Sequence, residues 1–208
     1  MTGAANNYIP ACDPFAAEAV DPFPCFAAWY AEARASEPND PDAMSLGTAT
    51  PQGAPSVRMV LLKDVRDGAF VFYTNAESRK GEELRANPQA ALCMHWKSLR
   101  RQVRVEGRAT EVSAQEADDY FHSRSRQSHI GAVASAQSRP LASRALLEAG
   151  AADIAQRYPG EVPRPPHWTG FAVRAERIEF WRDGPHRLHD RMLYTRTEAG
   201  WTRQRLYP

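Results

Sequence analysis

The chain is short of lysine. Of its 26 lysines and arginines only three are lysines, Lys63, Lys80 and Lys97. No arginine precedes Arg34 and no lysine precedes Lys63. Cysteine is scarce as well: Cys12, Cys25 and Cys93 are odd in number and show no CxxC spacing. That argues against a disulfide framework and against a zinc site. No apolar run is long enough to cross a bilayer. The opening MTGAANNYIPACDPF lacks the basic and apolar regions of a signal peptide, so a cytoplasmic protein is expected. Neither sign of charge is in excess; a net charge of +1 offers no general nucleic-acid surface. The phosphate-cradling loops GxGxxG and GxxxxGK[ST] are missing, and so is the GxSxG elbow of the α/β-hydrolases. At 208 residues the simplest reading is one domain over residues 21–208, preceded by a flexible segment, 1–20, rich in Ala, Asn, Asp and Pro.

What is present centres on residues 57–84, VRMVLLKDVRDGAFVFYTNAESRKGEEL. An apolar run from Val57 to Leu62 and a β-rich run from Ala69 to Asn75 flank an Asp67-Gly68 turn, which predicts a hairpin. The two-residue period of a strand puts Arg58 and Lys63 on opposite faces, so they are expected to serve different ligand groups. Ser78 then reads as the cap of a helix opening with Arg79 and Lys80. Free backbone N–H groups, the positive end of the helix dipole and two cations make that start a natural seat for a phosphate. Two of the three lysines fall in this one segment, where an ammonium acts as a compact point charge.

The remaining chain predicts a helix from Pro22 carrying Phe26, Trp29 and Tyr30, and strands over 44–50, 90–96 and 102–112. The Ser113-Ala114-Gln115-Glu116 capping box starts a second helix, with Tyr120 and Arg124 four residues apart on one face. Residues 123–138 read as irregular, 141–158 as a third helix, and 170–176, 177–181, 187–195 and 201–206 as final strands. Antiparallel strands joined by hairpins, with helices interspersed, predict an α+β barrel with flanking helices. His186 and His189 have HxxH spacing, but no cysteine or carboxylate partner stands out at ligand spacing in the sequence, so no metal is expected. Alternation would put Arg187, His189 and Arg191 on one face of a strand, where an anion or an electron-rich ring would relieve their repulsion.

The motifs RMVLLK (58–63), FYTNAESRK (72–80), YFHSRSRQSHIGA (120–132), Gln137-Ser138, IEFWRDGPHRLHDR (178–191) and RLYP (205–208), with the RQV element at Gln102, resemble the pyridoxamine/pyridoxine 5′-phosphate oxidase family in order and spacing. The resemblance implies a mainly β, α+β fold: an antiparallel split β-barrel with flanking helices, assembled as a homodimer with FMN between the subunits. It implies that Arg58, Thr74, Arg79, Lys80 and Ser138 hold the FMN phosphate. Met59, Val60, Leu61, Leu62 and Tyr73 would line the flavin, with Lys63 at the end of that run; Gln102, Gln137, Trp181 and Arg191 would complete its site. Lys63, Tyr120, Arg124 and Ser128 would grip the phosphate of a B6 vitamer, and Arg187 and His189 would lie against its ring as the catalytic pair. The implied reaction is oxidation of pyridoxamine or pyridoxine 5′-phosphate to pyridoxal 5′-phosphate, with dioxygen as acceptor. The chain departs from the family in carrying His129 for a frequent glutamine and Val133 for a frequent tryptophan. It also has no early arginine to build a lid over the substrate. The alternatives are a related flavin oxidase on another ring, as in phenazine biosynthesis, and a non-catalytic binder of pyridoxal phosphate or FMN. Retention of Lys63, Tyr120, Arg124 and Ser128 counts against the former, because a ring without a phosphate would not need them.

Overall fold

A computed structural model describes residues 12–208. Among the described residues, five α-helices and nine strands follow one another as α1 (Pro22–Ser36), β1 (Ala43–Ala49), β2 (Pro55–Leu61), β3 (Asp64–Arg66), β4 (Ala69–Asn75), α2 (Arg79–Ala86), β5 (Gln89–Trp96) and β6 (Arg101–Glu111). After these come α3 (Ala114–Ser123), α4 (Arg126–Ala134), α5 (Arg144–Arg157), β7 (Trp168–Arg182), β8 (Asp190–Thr197) and β9 (Gly200–Arg205). The strands form one sheet in the order β2-β1-β5-β6-β7-β4-β3, with β8 between β7 and β9. The expected antiparallel α+β class is borne out. Among the described residues no helix is long and apolar enough to cross a membrane.

The chain divides into two compact units. The first comprises Met1–Leu46, Ala91–Gly107 and Ala175–Pro208. Its helix α1 starts at Asp21, whose side chain accepts the Phe23 N–H, with proline at the first helical position. Helical spacing brings Cys25, Phe26, Trp29 and Ala33 to one buried face. Trp29 stands edge-on to Phe180 at 5.2 Å, and Tyr30 stacks near Trp96 at 6.3 Å. The buried Tyr194 hydroxyl donates to the carbonyls of Pro14 and Ala19, so this part of the 1–20 segment is docked; residues 1–11 lie outside the described residues. Cys12 and Cys25 are joined as a disulfide, Cα atoms 4.6 Å apart, against the sequence expectation. An odd count excludes a complete framework and leaves Cys93 free, but it does not exclude one pair brought together by the docked segment.

The second unit comprises Gly47–Ala90 and Arg108–Arg174. The Asp67-Gly68 turn is present, both residues taking positive φ (51° and 76°) as a tight turn with strand-matched twist requires. The expected pairing is corrected: the turn joins the short β3 to β4, and the Val57–Leu62 run lies largely in β2, which pairs with β1. Antiparallel pairing sets Phe72 opposite Phe171, and their rings stack at 5.9 Å in the core. Gly81 has no room for a side chain, since a Cβ there would lie 2.2 Å from the Ala76 carbonyl oxygen. That close approach seats α2 against the end of β4.

Two local expectations are corrected. The stretch read as irregular contains α4, capped by Ser125, whose side chain accepts the Ser128 N–H. It buries only His129 and Ile130, too few apolar positions to show a period. Residues 187–191 are not one strand. Pro185–Arg187 forms a 3-10 turn in which His186 and Arg187 take positive φ (55° and 65°), and β8 begins only at Asp190. Arg187, His189 and Arg191 therefore do not share a strand face. The Gly184-Pro185 pair breaks the extension, and a Cβ on Gly184 would meet the Leu188 carbonyl oxygen at 2.2 Å.

Candidate active site

In the second unit a cleft of about 430 Å³ opens among β2, β4, α2, α3 and α4. Its wall contains Met59, Val60, Leu61, Lys63, Tyr73, Thr74, Lys80, Tyr120, Arg124, Ser128 and Gln137, all singled out from sequence, together with Trp168. Two regions of this wall are cationic.

The first is built at the start of α2. Ser78 occupies the cap position, but its hydroxyl does not cap the helix. It donates to the Asn75 carbonyl at 2.6 Å and accepts from Lys80 Nζ at 3.0 Å. Lys80 also donates to Thr74 Oγ1 (3.1 Å) and Gln137 Oε1 (2.8 Å). All three acceptors are neutral, and among the described residues the buried ammonium has no carboxylate partner. Its pKa is lowered from 10.5 to about 8, by burial first and then by the charge of Arg58. Arg58 itself faces Thr48, Ser56 and Glu83, the last at 3.3 Å. Arg79, largely exposed, reaches Glu83 at 2.9 Å. Glu83 is thus the hub that orders both guanidiniums. Burial would raise its pKa, but hydrogen bonds from Ser56, Thr48 and Arg79 outweigh that and bring it down to about 2.

The second cationic region follows α3. Arg124 is the C-cap of that helix, and its guanidinium lies over the Trp168 ring, 5.1 Å from the centroid. Its Nη1 is buried without a hydrogen-bond partner, and burial lowers its pKa. Tyr73, Tyr120 and Trp168 form a near-parallel set, the two tyrosines 3.9 Å apart and Tyr73 to Trp168 5.4 Å. The Ser128 hydroxyl is within 2.9 Å of Ser125 Oγ. Lys63 is exposed on the same cleft, its backbone N–H tied to the Val71 carbonyl at 2.8 Å. A guanidinium with one buried, unpartnered nitrogen and a buried ammonium among neutral oxygens both gain from an incoming anion.

Sequence reasoning missed Trp168 and Glu83. Only tertiary pairing reveals them, because Trp168 opens a strand remote in sequence from α3, and Glu83 looks like any exposed helix acid. Four expected residues of this unit stand away from the cleft wall: Leu62 is in the core, Ser138 follows Gln137 with φ 71°, and Arg58 and Arg79 are turned to Glu83.

In the first unit the other expected residues form a separate group. Trp181 and His189 rings lie 4.7 Å apart, and His189 Nδ1 is 3.1 Å from both Asp183 Oδ1 and the Gly184 N–H nitrogen. Arg191 is ion-paired with buried Glu179 at 2.8 Å, which also receives Arg104. Gln102 is half-buried near the start of β6, and Arg187 is exposed on its turn. Among the described residues no group of three His, Cys, Asp or Glu is placed to hold a metal.

Residues 31–158 match the family described as pyridoxamine 5′-phosphate oxidase, and residues 168–208 match the pyridoxine 5′-phosphate oxidase C-terminal dimerisation region. The chain belongs to the pyridoxamine 5′-phosphate oxidase family of enzymes. A relative from Rhodospirillum rubrum named pyridoxine/pyridoxamine 5′-phosphate oxidase is 62% identical over 194 residues, covering 90% of this chain and 96% of its own. One of the same name from Erythrobacter litoralis is 59% identical and covers 100% of this chain and 97% of its own. Among solved structures, PhzG from Burkholderia lata in complex with tetrahydrophenazine-1-carboxylic acid superposes with a TM-score of 0.87 at 31% identity, over 92% of this chain and 95% of its own. A pyridoxamine 5′-phosphate oxidase-related, FMN-binding protein from Nostoc punctiforme shares the fold at a TM-score of 0.74 and 17% identity, over 90% of this chain and 98% of its own.

Proposed function

We propose that the chain is an FMN-dependent oxidase that converts pyridoxamine 5′-phosphate or pyridoxine 5′-phosphate to pyridoxal 5′-phosphate. The observation that carries this reading is one cleft with two cationic regions, Lys80 among neutral oxygens and Arg124 with an unpartnered buried nitrogen. Two phosphates, one on a cofactor and one on a substrate, meet that demand. Lys80, Thr74, Arg58, Arg79 and Ser138 would hold the FMN phosphate. Met59, Val60, Leu61, Leu62, Tyr73, Gln102 and Gln137 would border the flavin. When bound, FMN supplies hydride acceptance from the substrate 4′ carbon and return of the electrons to dioxygen, giving hydrogen peroxide.

The protein's share is orientation and electrostatics. Lys63, Tyr120, Arg124 and Ser128 grip the substrate phosphate and fix the ring. Arg187 and His189 lie against that ring; with the amine substrate, water hydrolyses the oxidised product to the aldehyde and ammonia leaves. The protein acts as a homodimer in which Trp181 and Arg191 of the partner subunit complete each FMN site. Support for the pairing comes from the match of residues 168–208, which include both, to a dimerisation region.

The PhzG likeness favours a second reading, oxidation of a phosphate-free ring. The unpartnered Arg124 nitrogen favours the phosphorylated substrate instead. Purified protein should be yellow and release FMN, not FAD, on denaturation. A colourless protein that binds no added FMN sinks the proposal.

A further inference from the structure

The Phe121 carbonyl, in the last turn of α3, receives two hydrogens. One comes from the backbone N–H of Arg124 at 3.2 Å. The other comes from His129 Nε2 at 2.5 Å. A carbonyl only accepts, so this nitrogen carries the imidazole proton. His129 is buried, and its ring stacks on Phe121 at 4.4 Å and 21°. Phe121 in turn stands edge-on to Trp168 at 5.0 Å, and Trp168 is the ring beneath the Arg124 guanidinium.

Between α3 and α4 the chain turns through Arg124 and Ser125 alone, with Arg124 in extended conformation (φ −84°, ψ 166°). Arg124 stands on one side of this elbow and Ser128, just before His129, on the other; both line the cleft. The α3 end has only its last carbonyls to offer, and one of them is shared by Arg124 and His129. The imidazole therefore ties the first turn of α4 to the last turn of α3, on either side of the elbow.

We propose that His129 is a positioning residue for the substrate-phosphate grip: its Nε2–H bond to the Phe121 carbonyl fixes the α3–α4 elbow and so sets Arg124 and Ser128 in the cleft. The proposal rests on the reading of Arg124 as a ligand of the substrate phosphate. A guanidinium on an untethered elbow loses orientation before and during the reaction alike, so the effect falls on KM.

The test uses FMN-loaded enzyme and pyridoxamine 5′-phosphate. His129→Phe keeps a ring to stack on Phe121 but removes the donor; His129→Gln restores an N–H of similar reach. His129→Phe should raise KM about three- to tenfold, as expected for one lost buried hydrogen bond, with kcat within about twofold and FMN affinity unchanged. His129→Gln should return KM to within about twofold of the parent. In an Arg124→Ala background His129→Phe should raise KM much less, because the two changes share one route. An unaltered KM in His129→Phe, a failure of His129→Gln to rescue, or a full extra effect without Arg124 each overturns the positioning role. Where His129→Phe does not fold, His129→Met carries the same comparison. Arg124→Ala alone separates the two layers: if it leaves KM unchanged, the phosphate-grip reading has failed first.

Discussion

Lys80 carries two opposite pH dependences. Its pKa of about 8, against an ordinary 10.5, reflects burial and the neighbouring Arg58. A lysine depressed in the fold is charged below about pH 8, and above it only the unfolded chain keeps the proton. The ligand-free fold therefore gains stability from this group as pH rises from about 8 towards 10.5, up to about 3 kcal/mol. FMN affinity should run the other way. A phosphate monoester is close to a dianion above about pH 7 and pairs with the ammonium form. If the phosphate restores an ordinary lysine pKa, binding above pH 8 takes up a proton. The Kd should then weaken about thirtyfold between roughly pH 7 and 9.5. Lys80→Met should weaken binding about ten- to a hundredfold near pH 7 and flatten the profile. Titration by flavin fluorescence quenching reads both. A parent Kd that stays constant across the range, or a Lys80→Met profile of the same slope, refutes the placement of the phosphate at Lys80.

Arg124→Ala should mainly raise KM and Arg187→Ala mainly lower kcat, both with FMN bound; normal kcat in Arg187→Ala at saturating substrate would remove its catalytic role. Glu83→Gln should cost about 2–3 kcal/mol in denaturant unfolding. Because the Glu83 carboxyl is held at about 2 against an ordinary 4.5, its contribution is present above 4.5 and lost as pH falls from 4.5 towards 2. Glu83→Gln should blunt that acid loss, and an unchanged acid limb would contradict the hub role. Lys80→Ala and Arg191→Ala homodimers, each nearly inactive, should regain about a quarter of the sites when unfolded together and refolded with FMN. No gain despite hybrids seen by mass spectrometry would place both residues in one subunit's site.

Much of the cleft was legible because its chemistry is local. The Asp67-Gly68 turn and β4 follow from the local pattern, although the partner across the turn is the short β3 and not the apolar run before it, and the α2 start follows from Ser78 before two cations. Tyr120 and Arg124 meet the cleft together because four residues make one helical turn, even though Arg124 is the cap and not a helical residue. What escaped depends on distance in space. The Cys12–Cys25 pair requires the docking of residues 13–19, which no spacing encodes. Ser125 nucleates α4 where small residues hide the period. Arg187 leaves its expected strand because two consecutive residues adopt positive φ after Pro185, a conformation that side-chain alternation does not register.

The central claim is turnover of a phosphorylated B6 vitamer at this cleft. The direct measurement supplies FMN-loaded protein with pyridoxamine 5′-phosphate in air and follows pyridoxal 5′-phosphate by absorbance alongside oxygen by electrode. The account predicts product formation matched one-to-one by oxygen uptake, and a much higher KM for pyridoxamine lacking the phosphate. Bound FMN with no pyridoxal 5′-phosphate and no oxygen uptake, or equal KM for the two amines, would contradict it.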